Sequence, residues 1–169
     1  MAQYPEKPGH KTQADIRTMI EDARTCMFST FDEDSTRIKS RPMSIAEVDA
    51  ANQIWFFTDD TSHKIHEIRN SWQVALGFAN GAAGEWISVN GHARLVKDKA
   101  KIQELWKPTY KAWFPNGLDT PSLALLCVEM ETAEYWESKG GPIVTAFEMI
   151  KAAITGDPAR NSEHDVVAM

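Results

Sequence analysis

The sequence predicts a mainly β, antiparallel domain with flanking helices, its sheet closed or nearly closed into a barrel. Three observations carry this. Six segments have strand character, several with apolar and polar residues in alternation. The helical patterns fall between and around them without regular β-α-β alternation, which disfavours a parallel sheet. A barrel also covers strand edges that an open sheet leaves free to pair with other chains.

Thr12 opens the first helix, with Asp15 placed as the acidic partner of a capping box, and Ile16, Met19, Ile20 and Ala23 share one helical face. Cys26 to Phe31 is a short apolar strand, ended by the acidic turn Asp32-Glu33-Asp34-Ser35. Ile38 to Val48 reads as one long strand. Pro42 lies inside it and donates nothing to a ladder, so an edge, a bulge or a ligand contact is expected there. After a turn at Asp49 to Asn52, Gln53 to Thr58 is expected to complete a hairpin with that long strand.

The polar turn Asp59 to Ser62 leads into a helix through Lys64, Ile65 and Ile68. Val74 to Phe78 and Trp86 to Val96 are further strands; in the second, Ile87, Val89, Ala93 and Leu95 face one way and Ser88, Asn90, His92 and Arg94 the other. Asp98 caps a short helix that Pro108 ends, and Tyr110 to Phe114 forms a second helical piece. Leu123 to Trp136 is the last long strand, and Ile143 to Ile154 a final helix. The organisation expected is an N-terminal arm (1–11), one barrel domain (12–156) and a loosely held polar tail (157–169).

Composition narrows the function. The chain has 169 residues, enough for one core, with 43% hydrophobic and 25% charged residues as in ordinary globular proteins. A net charge of −6 without a basic block argues against nucleic acid as a partner. No stretch is apolar enough for a membrane helix, and residues 1–10 lack a signal-peptide core, so a cytoplasmic setting is expected. Cys26 and Cys127 sit in apolar runs and read as buried free thiols, though a disulfide between them stays open at this point. His63 and His66 lie three apart on a helix but have no third ligand, so no metal site is expected.

Chemistry concentrates between Ser40 and Lys64. Ser40-Arg41-Pro42-Met43-Ser44 forms one arm; Phe56-Phe57-Thr58, a turn and Ser62-His63-Lys64 form the other. A helix start offers free N–H groups and partial positive charge, Ser62 a hydroxyl donor, Lys64 a point charge and Arg41 a forked pair of donors. That set suits a phosphate monoester, with Phe56, Phe57 and Met43 as an apolar wall for a flat ring. Taken alone, the same residues also read as solvated charges, an ordinary N-cap and core aromatics.

Order and spacing add to this. Ser40-Arg41-Pro42-Met43, then Trp55-Phe56-Phe57-Thr58 with Ser62-His63-Lys64, then Trp86-Ile87-Ser88-Val89-Asn90-Gly91 occur in sequence, extended by Leu105-Trp106-Lys107-Pro108, Lys111-Ala112-Trp113-Phe114-Pro115 and Glu134-Tyr135-Trp136. From about Thr12 to Ile154 the chain resembles the pyridoxamine-phosphate-oxidase-like flavoproteins, most closely their bacterial general stress protein branch. The resemblance implies a Greek-key-like split β-barrel and a homodimer holding flavin mononucleotide (FMN) at the subunit interface. It implies that Arg41 and Lys64, helped by Ser62 and His63, hold the phosphate. Arg41, Pro42, Met43 and Ser44, with Phe57 and Thr58, would line the ribityl chain and ring. Trp113 and Trp136 would cover the ring's outer face, and Trp86 stands where the oxidase has a flavin-contacting glutamine.

Two departures bear on activity. His63 stands where the oxidase commonly has arginine, an exchange expected to weaken the hold on phosphate. Glu137-Ser138-Lys139-Gly140-Gly141-Pro142 follows Trp136 where the oxidase has a basic, His-containing substrate segment. Oxidation of pyridoxamine phosphate is therefore not expected. A flavin redox activity, a flavin store or sensor without turnover, and a split barrel holding F420 or haem are the readings that stay open.

Overall fold

The computed structural model describes residues 11–32, 36–138 and 162–169. The helix expected over Ile143 to Ile154 and most of the acidic turn after Phe31 lie outside them.

Thr12 caps helix α1 (Gln13–Ala23) in a complete capping box with Asp15, and Ile16, Met19 and Ile20 are its buried face. Strands β1 (Thr25–Phe31), β2 (Ile38–Ser44), β3 (Glu47–Val48) and β4 (Gln53–Asp59) follow, then helix α2 (His63–Asn70). Next come β5 (Gln73–Asn80), β6 (Glu85–Val96), helix α3 (Lys99–Leu105) and two 3₁₀ turns, Pro108–Ala112 and Gly117–Asp119. The long β7 (Leu123–Ser138) and β8 (Ser162–Ala168) complete the described chain.

All eight strands join one antiparallel sheet in the order β2-β1-β5-β6-β7-β4-β3, with β8 also paired to β7. β4 takes residues 123–129 of β7 and β8 takes residues 132–138 of the same edge, end to end. The sheet curls into a split half-barrel. Its two ends, β2 and β3, are joined in sequence by only Ile45 and Ala46, so the edges must meet at that corner. There the Ile45 N–H donates to Arg24 O at 2.9 Å and the Ala46 N–H to Trp55 O at 2.8 Å.

This corrects the expected hairpin. Ile38 to Ser44 pairs with β1, and only Glu47–Val48 turns back on β4. One pattern of alternation cannot tell which neighbour a strand chooses, because pairing is non-local. Pro42 lies opposite Met27, on a strand that pairs on one side only among the described residues, which is where proline costs least. The expected loose tail is also corrected. From Ser162 it is strand β8, with Val167 and Met169 packed on the core and Ala168 O accepting from Gln13 Nε2 at 2.9 Å.

Two apolar clusters lie on opposite faces of the sheet. Phe28, Ile54, Phe56, Leu76, Val89, Leu126 and Val128 fill the barrel interior with the buried faces of α1 and α2. Trp55, Ile102, Leu105, Leu125 and Cys127 form the other, under α3 and the 3₁₀ turns. Cys26 belongs to the first cluster and Cys127 to the second, and both thiols are free. Burial pushes Cys26 up to about 12 and Cys127 up to about 11, so neither is a ready nucleophile.

Candidate phosphate site at the start of α2

Arg41 reaches the site because of strand alternation. On β2, Lys39, Arg41 and Met43 point to one side, and Arg41 sits opposite the fully buried Phe28 of β1. Helix α2 packs against β1 and brings its first turn to the same place. Lys39, Arg41, Ser62, His63, Lys64 and Glu67 line one open cleft of about 480 Å³. Four of these are residues that the sequence singled out, now assembled from two elements more than twenty positions apart.

The hydrogen bonds define how each group is held. Ser62 is the N-cap of α2, but its hydroxyl donates to Asp59 O at 2.8 Å and accepts from Lys64 Nζ at 3.1 Å. Arg41 Nη2 donates to Glu67 Oε2 at 2.7 Å, while Nη1 is buried with no partner among the described residues. A buried guanidinium nitrogen without an acceptor costs about 1–3 kcal/mol or more, and such a group marks a place for a water or an anion. Burial pushes the Lys64 ammonium below the usual lysine range; neighbouring Arg41 pushes the same way, against Asp59 and Glu67. A desolvated cation beside another cation is the setting that an incoming anion relieves.

Lys39 and Glu67 were not anticipated. Glu67 is 2% exposed and accepts from Thr30 Oγ1 at 2.7 Å, while Lys39 Nζ lies 3.2 Å from its Oε1. Burial alone would raise this carboxyl, but Thr30, Arg41 and Lys39 together hold it below the usual glutamate range. The sequence did contain a signal: Glu67 falls between Ile65 and Ile68, on the part of α2 that turns to the core.

The other expected residues lie elsewhere. Met43 is core and Ser44 exposed at the end of β2. Thr58 is buried, with its hydroxyl donating to Asp59 O at 3.3 Å. Phe56 and Phe57 do not form one wall. Phe56 is wholly inside the barrel, whereas Phe57 faces the other cluster, 4.5 Å from the Tyr110 ring and 5.6 Å from Trp106. Adjacent residues on a strand must point to opposite faces. Trp86 and Trp136 are cross-strand neighbours, and Trp136 stacks on His164 of β8 at 4.8 Å and 10°. Trp86 and Trp113 are 45% and 67% exposed and lie outside the cleft lining.

The class that fold and site define is a split half-barrel with a cationic cleft at a helix start. The model of the family described as pyridoxamine 5'-phosphate oxidase like matches residues 11–159, and the chain belongs to that family. Protein bli-3 of Neurospora crassa is 26% identical over 154 residues, covering 86% of this chain and 74% of that protein. The general stress FMN/FAD binding protein of Xanthomonas citri superposes with a TM-score of 0.66 at 25% identity, over 77% of this chain and 91% of that one. A general stress protein 26 from Jannaschia shares the fold, with a TM-score of 0.68 at 20% identity over 93% and 100% of the two chains.

Proposed function

We propose that this chain binds FMN, with the phosphate monoester in the cleft between β2 and the start of α2. The observation that carries this is the buried Nη1 of Arg41, without a partner among the described residues, beside the desolvated Lys64. Charge supports it further. Three cations (Lys39, Arg41, Lys64) against one carboxylate (Glu67) leave an excess of two positive charges, and a phosphate monoester carries about −1.5 to −2 near pH 7. Arg41 Nη1 and Lys64 Nζ would hold the phosphate, with the first N–H groups of α2 and His63 at its margin. The backbone of Arg41 to Ser44 runs along a strand paired on one side, so it can line the ribityl chain and ring.

A second copy of the chain would complete the ring site. Met27, Phe31 and Ile38 are exposed together on the outer face of β1 and β2, an apolar surface that suits a homodimer. Trp86, Trp113 and Trp136 are the aromatic groups a partner could bring over the ring. The two buried free thiols fit a reducing, cytoplasmic setting.

Bound flavin supplies electron and hydride transfer. The residues on this cleft bind and orient. A flavin store or sensor without turnover is the second reading, favoured by Glu137 and Ser138 standing where the oxidase keeps its substrate-gripping basic segment. Absorption spectra and thermal shift with FMN, riboflavin, F420 and haem test the ligand, and NADH or NADPH oxidation tests turnover. FMN should give the largest stabilisation, because a ligand of the folded state stabilises by mass action. A haem or F420 spectrum with no response to FMN would overturn the proposal. Steady pyridine-nucleotide oxidation above that of free FMN would decide against the store.

A further inference from the structure

Glu67 is a carboxylate in a cleft proposed to hold an anion, a charge of the wrong sign for that purpose unless it does something else. Its environment is built: the side chain is 2% exposed, Oε2 accepts from Thr30 and Arg41 at 2.7 Å each, and Oε1 faces Lys39 at 3.2 Å. Arg41 has two terminal amino groups, and Glu67 engages only one of them. A guanidinium anchored at one terminal nitrogen is restrained before ligand arrives, and its other terminal nitrogen keeps its donors uncommitted. Fixing it in advance removes an ordering cost from binding. Thr30 in turn fixes the carboxylate from β1, so the chain of contacts runs from a rigid strand through Glu67 to Arg41.

We propose that Glu67 is the positioning residue of the phosphate cleft: it splits the Arg41 guanidinium, holding Nη2 so that Nη1 is left for the ligand, and trims the cleft charge to that of one terminal phosphate monoester. This rests on the FMN reading above. It goes further in assigning the discrimination between a terminal phosphate and a flavin with none, or one whose phosphate is esterified, to a residue that acts through Arg41. A terminal monoester brings up to two charges to one phosphorus. A dinucleotide spreads single charges over two phosphates, and riboflavin brings none.

The test is titration of FMN, riboflavin and FAD into wild type, Glu67→Gln and Thr30→Val, with the fold of each variant checked by circular dichroism and thermal melting. Thr30→Val keeps the carboxylate and removes one of its anchors, so it remains informative if Glu67→Gln does not fold. The expected result is a loss of FMN affinity of at least tenfold in Glu67→Gln and a smaller loss in Thr30→Val, with riboflavin affinity unchanged. The preference for FMN over both other flavins then shrinks, and Glu67→Asp restores part of it. If FMN binds more tightly in Glu67→Gln, the carboxylate is merely a competing charge and the proposal is wrong. Equal loss for FMN and riboflavin means a structural role only, and also overturns it. Wild type that does not prefer FMN to riboflavin refutes the phosphate site itself, a failure separate from that of Glu67.

Discussion

Thr30 and Glu67 are buried and Arg41 is partly so, and each hydrogen bond that joins them has a measurable consequence. Removing the Thr30 hydroxyl deletes a hydrogen bond to a buried charge, for which about 1.5–3 kcal/mol is the usual cost. Thr30→Val should therefore unfold at lower denaturant with the same m-value; an unchanged midpoint would mean the bond contributes nothing. The pH dependence follows from the direction of the Glu67 shift. Its carboxyl is held low in the folded protein, so it stabilises fully above the unfolded value of about 4.3 and loses that contribution as pH falls through the folded value. Acid unfolding of Glu67→Gln should accordingly be less steep below about pH 4 than that of wild type. The local signals at this scale were uneven in the sequence. Arg41, Ser62 and Lys64 stand out as donor types around a helix start, whereas a buried glutamate looks like a solvated one until its neighbours across the fold are known.

Among the elements, β6 shows how one residue sets a strand. Its register with β7 shifts between Asn90 and Gly91. A Cβ on Gly91 would lie 2.2 Å from Glu129 O, a backbone atom that cannot step aside. Gly91→Ala should destabilise by about 1–3 kcal/mol, the range for overpacking, read as a fall in the denaturation midpoint. Strand β8 is the counterpart. Val167 packs on the core and β8 covers the upper half of the β7 edge, so Val167→Asp should loosen it and speed amide exchange in residues 132–138. Unchanged exchange there would show that β8 is not what protects that edge. Most strands were legible because apolar residues alternate and turn residues bound them, as in Trp86 to Val96. β8 was not, because Ser-Glu-His-Asp-Val-Val-Ala groups its polar residues before its apolar ones instead of alternating them, and its strand pairing is set by β7. The split of Ile38–Val48 was hidden for a similar reason: the switch at Ile45–Ala46 is made by partners at Arg24 and Trp55, which local pattern does not reveal.

At the scale of the molecule, a curled sheet brings its first and last strands together at one corner and seats α2 beside β2. That placement converts two short polar motifs into one cleft with two excess positive charges. The fold class was readable from strand alternation, and the gathering of Arg41, Ser62, His63 and Lys64 on one cleft from donor types around a helix start. The apolar wall expected beside it was not: Phe56 and Phe57 face opposite clusters, and the exposed Trp86 and Trp113 lie outside the cleft lining. Under the proposed homodimer a partner subunit would account for both facts, and a dimer interface leaves no local sequence signature. The measurement that tests the central claim most directly is an FMN titration, followed by flavin and tryptophan fluorescence, on wild type and on the double variant Arg41→Ala, Lys64→Ala. The account predicts saturable binding of one FMN per subunit in wild type, weakened by about a hundredfold or more when both charged contacts are lost, at about 1.5–3 kcal/mol each. Equal affinity in the two proteins, or no binding in wild type, would contradict it.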